Sequence, residues 1–144
     1  MTQEDKDFLY TDLCARLPYG VHYNHVAWDE ELGEVEISVK IHSVNHDGYV
    51  RNCYDDETIY IDRVKPYLFP LSSMTEKQQE EFDIIYADDM QVVANNLKNR
   101  LDGKPYETNL GHYRHIDWLN ANHFDYRGLI PKGLAIDETG LNIY

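Results

Sequence analysis

The sequence predicts an α+β fold, on three observations. Period-two alternation of apolar residues marks strands in the first half. Tight-turn residues separate those strands at short intervals. A capped stripe of apolar residues at helical spacing marks a long helix in the second half.

The first element is a helix over residues 2–16. Phe8, Leu9, Leu13 and Leu17 fall at helical spacing, Thr2 is a candidate cap, and acidic residues fill the first turn. Pro18 ends the helix and Tyr19-Gly20 turns the chain. Residues 21–28 are rich in β-formers and read as the first strand. After a turn at Asp29–Gly33, Val35, Ile37, Val39 and Ile41 alternate with Glu34, Glu36, Ser38, Lys40 and His42. One face is buried and the other wet, as in an antiparallel sheet. Asn45-His46-Asp47-Gly48 is a tight turn in which Gly48 can take positive φ. A third strand covers Tyr49–Tyr54, and a fourth covers Thr58–Val64 with Ile59, Ile61 and Val64 inward. Four short strands on short turns make a meander that curls into a partly closed, SH3-like sheet, its edges met by closure or by helices.

Residues 65–71 leave the sheet. Pro66 and Pro70 exclude a central strand, while Tyr67, Leu68, Phe69 and Leu71 are expected to pack along the domain. Thr75 and Gln78 form a capping box that starts the long helix. Phe82, Tyr86, Met90, Val93, Leu97 and Leu101 form its apolar stripe. Ile84, Ile85 and Val92 lie off the stripe, so the helix is expected to be buried on two sides or broken near Asp88-Asp89. Asp102-Gly103 ends it, and a polar loop follows to Gly111. A short helix is expected over residues 114–122, then a turn of helix and an extended tail from Leu129 onward. The length suits one domain, with residues 1–71 as a helix-plus-sheet module and 72–144 as a helical part packed on it.

Hydrophobic content of 42% and aromatic content of 12% belong to a folded globule. Twelve Tyr against four Phe suit half-buried positions and binding surfaces. The formal net charge is −13. Direct nucleic-acid binding, which neutralises phosphates with Lys and Arg, is disfavoured, as is an anionic membrane surface. Solubility alone explains the charge; a basic partner protein or a divalent cation would use it. Cys14 and Cys53 stand far apart, which suits small apolar roles in a reducing compartment and leaves their pairing open. No apolar leader core and no run of about 18 apolar residues occurs, so a cytoplasmic location is expected.

The segment from His115 to Gly128 carries the densest mixture of chemistry. Trp118, Asn120, His123, Asp125, Tyr126 and Arg127 supply the aromatic and Arg anchors typical of binding hot spots. Arg127 beside Tyr126, with Trp118 and His123 nearby, could also stack a base and hold a phosphate. His112, His115 and Asp117, with His123 and Asp125, offer metal-ligand chemistry, but at no recognised metal-site spacing. A Cys14 or Cys53 nucleophile has nothing to position it. The structural alternative is that Trp118, Leu119, Phe124 and Tyr126 seal the short helix onto the sheet, with Asp125 and Arg127 paired.

Four phrases carry a resemblance: residues 12–21 (DLCARLPYGV), 64–76 (VKPYLFPLSSMTE), 116–130 (IDWLNANHFDYRGLI) and 132–135 (KGLA). With these, the chain resembles a group of small proteins of no assigned activity, encoded by gut bacteria and their phages and prophages. The resemblance implies a cytoplasmic, mobile-element-associated protein and carries over no catalytic residue. The expected function is a non-enzymatic, acidic protein-binding module that inhibits or adapts a host or phage protein with a basic surface, and no cofactor is expected. The alternative is a nucleotide binder or metal-dependent enzyme built on residues 112–127.

Overall fold

A computed structural model describes residues 1–55, 57–104 and 113–144. The architecture is α+β, and the chain divides into two compact units, residues 1–73 with 123–144, and residues 74–122.

The first unit opens with helix α1, Gln3–Arg16. Thr2 and Asp5 form a reciprocal capping box that satisfies donors the first turn leaves unpaired. Strands β1 (His22–Asp29), β2 (Gly33–Val44), β3 (Tyr49–Asn52) and β4 (Thr58–Tyr60) form an antiparallel meander in that order. The register between β2 and β3 shifts between Ile41 and Ser43, an irregularity that bends and twists the ladder. The sheet is therefore curled into a half-barrel. The outer edge of β1 is partly covered by the Lys65-Pro66 segment, where the Asn24 N–H donates to the Lys65 carbonyl at 3.1 Å.

The fourth expected strand stops early. Ile61–Arg63 is a 3-10 turn, which points the buried Ile61 and Val64 to one side three residues apart, where a strand would point them to opposite faces. Strand β5, Tyr67–Leu68, lies parallel to β6, Ile136–Asp137. Phe69 exchanges backbone hydrogen bonds with residues on either side of Phe124. Residues 129–135, expected to include a turn of helix, run as successive turns. Leu9, Leu13, Val21, Tyr23, Ile41, Val50, Val64, Leu68 and Leu129 form the core of this unit. Cys14 and Cys53 are both free and exposed, so neither takes the apolar role expected of it.

The second unit holds helices α2 (Glu76–Leu101) and α3 (Arg114–Ala121). The Thr75–Gln78 capping box forms as read from the sequence. Helix α2 is continuous through Asp88-Asp89 and is not buried on two sides. Asp89 is its buried residue, while Ile84, Val93, Leu97 and Leu101 are exposed. Among the described residues, no helix is long and apolar enough to cross a membrane.

Candidate functional site

The six residues expected to form a binding surface divide between the units. Trp118 and Asn120 lie on α3 in the second unit, and His123, Asp125, Tyr126 and Arg127 belong to the first.

In the first unit these residues join a buried polar network. The Asp12 carboxylate takes two hydrogen bonds from Arg16, at 2.7 and 3.1 Å, one helical turn away on α1. Both side chains are fully buried. Burial pushes the Asp12 carboxyl up, against the pull of Arg16 and Arg127. Arg16 also donates to the Phe124 carbonyl at 2.8 Å, which ties α1 to the C-terminal segment. Arg127 sits 3.4 Å from Asp12, and both guanidiniums lie near the Tyr126 ring. The Asp125 carboxylate accepts the backbone N–H groups of Leu129 and Ile130, each at 2.8 Å. Asp125 therefore clamps a turn, and Arg127 pairs with Asp12 instead.

His123 has φ of 58° and is buried. Its ring stacks on Tyr144 at 3.6 Å between centroids and 7° between planes. Burial, with the Arg16 charge and then His22, lowers its pKa to about 4. The ring is thus held neutral, with the Tyr144 hydroxyl donating to the Tyr67 carbonyl at 3.0 Å beside it.

In the second unit the Asp89 carboxylate is encircled. It accepts from Arg114 Nε at 3.1 Å and the His115 backbone N–H at 2.9 Å, and it lies 2.7 Å from His115 Nδ1. Burial opposes its ionisation, but the bonds from His115 and Arg114 outweigh that and hold the carboxyl low. Trp118 packs on Phe82 at 5.7 Å between centroids, and His115 meets Tyr86 edge-on. His115 is committed to Asp89, Asp117 is exposed, and His112 lies outside the described residues. Among the described residues, His115 and Asp117 join no cluster of three metal-ligating groups.

Protein-family models, curated proteins and solved structures give no match to this chain. What the site can do therefore rests on its own geometry.

That geometry points to a feature outside the expected segment, the β1–β2 hairpin tip. Trp28 is 75% exposed and Leu32 77% exposed. Cross-strand register sets Trp28 opposite Glu34 and Val26 opposite Glu36, so two apolar and two acidic side chains share the outer face. Asp29 accepts the N–H groups of Glu31 and Leu32, both at 2.9 Å, which fixes the loop. The bonds from Leu32 and Glu31 lower its pKa. Gly33, at φ 79°, closes the turn. The sequence carried this signal: Trp28 and Leu32 flank Asp29, Glu30 and Glu31, an apolar pair where a turn needs none.

Proposed function

We propose that the protein is a non-enzymatic, acidic protein-binding module that docks its β1–β2 hairpin tip on a basic-rimmed apolar pocket of a partner protein. The observation that carries this reading is the hydrogen-bonded tip itself, which exposes Trp28 and Leu32 among Asp29, Glu30, Glu31 and Glu34. Large aromatic side chains are the commonest binding anchors, and a preorganised loop loses little entropy on docking. The surrounding carboxylates and the net charge of −13 steer it toward a cationic surface. The resemblance noted above supports a mobile-element origin and a cytoplasmic setting, in which the partner is a host or phage protein.

Pull-down at low and high salt, with the wild-type chain beside Trp28→Ala and Leu32→Ala, tests this. The expected result is a species retained by the wild type at low salt, released at high salt and lost with both variants. A species held equally well by the variants, or none at all, overturns the proposal. Either replacement leaves the fold intact, because both side chains are mainly in solvent.

A further inference from the structure

Where β1 faces the loop between β3 and β4, His25, Asp55 and Glu57 bring three potential metal donors together. Their ligand atoms all lie within 4.8 Å of one another. His25 Nε2 is 3.5 Å from Asp55 Oδ2 and 3.9 Å from Glu57 Oε2. A tetrahedral ion with bonds of about 2.1 Å separates its donors by roughly 3.4 Å, so the two His25–carboxylate distances already lie close to those of ligation. We propose that His25, Asp55 and Glu57 bind a first-row divalent cation, with Zn2+ the favoured ion.

The surroundings are those of a built site. His25 is 6% exposed, and its other ring nitrogen, Nδ1, lies 3.1 Å from the Tyr23 hydroxyl. That hydroxyl accepts from Asn52 Nδ2 at 3.1 Å. Asn52 Oδ1 accepts the N–H groups of Tyr54 and Asp55, at 2.8 and 3.1 Å, and so fixes the loop that presents Asp55. One chain of contacts thus orients the imidazole and a carboxylate together, as outer partners do around metal ligands. Ligation through Nε2 requires the proton on Nδ1, from which it donates to the Tyr23 oxygen. Asp55 and Glu57 are exposed, which leaves the ion a path in from solvent. Glu57, His25 and Arg63 also line a cavity of about 230 Å3. With neutral imidazole, the two carboxylates outweigh the one guanidinium, and the site keeps a net negative charge. Imidazole with carboxylates suits Zn2+ above Mn2+, by ligand type and by the general affinity order.

Isothermal titration of the chelator-stripped full chain with ZnCl2 tests the site. One equivalent is expected to bind, with affinity at least about tenfold lower in Glu57→Gln and in Asp55→Asn. Absence of Zn2+ binding, or binding untouched by both replacements, overturns the proposal. Nitrogen-15 spectra of the unaltered chain give an independent reading that does not depend on variants. Zn2+ should shift His25 Nε2 strongly and leave Nδ1 protonated, and a His25 ring that does not respond overturns the assignment equally.

Discussion

At the scale of single residues, the C-terminal segment is held by polar groups whose protonation matters. His123 is neutral in the fold, with its pKa lowered from 6.5 to about 4, while the unfolded chain protonates it near the ordinary value. Its contribution to stability is complete above about pH 6.5 and is lost as pH falls toward 4, by about 3 kcal/mol. His123→Phe keeps a flat ring against Tyr144 and removes the titration. Urea unfolding at pH 7 and pH 4.5 should show the variant losing roughly 2–3 kcal/mol less than the wild type. An equal loss in both proteins would remove His123 from the account. Asp125 makes a second prediction. Asp125→Ala strips the buried Leu129 N–H and the part-buried Ile130 N–H of their acceptor and should destabilise the fold by about 1–3 kcal/mol, read from denaturant midpoints. The sequence singled these residues out, but not the contacts they make. Asp12 and Asp125 stand far apart in sequence, so nothing local showed that Arg127 would pair with the distant one.

At the scale of elements, what was legible depended on whether the signal was local. The Thr2 and Thr75 caps, the alternation in β2 and the Gly48 turn all formed as read, because each is decided within a few residues. The fourth strand ended early because spacing three apart at Ile61 and Val64 overrode β-propensity. The parallel pairing of β5 with β6 was not legible, since two residues on each side leave no pattern. Helix α2 taught the opposite lesson. Its stripe read as core, yet Val93, Leu97 and Leu101 are exposed and Asp89 is the buried residue. A carboxylate on an apolar helix face gives no warning that a later helix will supply its donors. Asp89→Ala removes the acceptor shared by Arg114 and His115. Amide exchange in α3 should then speed up by roughly tenfold or more, while exchange in β1 and β2 stays unchanged. Unchanged exchange in α3 would show that the clasp does not hold it. The proposed metal triad was missed for a related reason: His25 lies inward on β1, but its partners arrive from the loop after β3, two strands later.

At the scale of the whole molecule, the first unit is split in sequence by the second. Residues 74–122 lie between Ser73 and His123, and Phe69 donates its backbone N–H to the His123 carbonyl at 2.9 Å. The two ends of the interruption are therefore close within the first unit. Replacing residues 74–122 by a short Gly/Ser linker should leave that unit folded, with backbone resonances of β1–β4 close to those of the full chain. A collapsed or unfolded spectrum would show that the inserted residues are needed to build it. The β5–β6 pairing also bears on how the protein is made. Tyr67 and Ile136 are neighbours in space but emerge from the ribosome far apart in time, with a whole helical unit synthesised between them. Until residues 123–144 arrive, the Leu68 carbonyl lacks the Glu138 N–H that it accepts and Arg16 lacks the Phe124 carbonyl. Closure of so long a loop is slow. The vulnerable stage for this protein is thus the interval of its own translation, when a protease or a neighbouring nascent chain can reach an edge that the finished molecule covers.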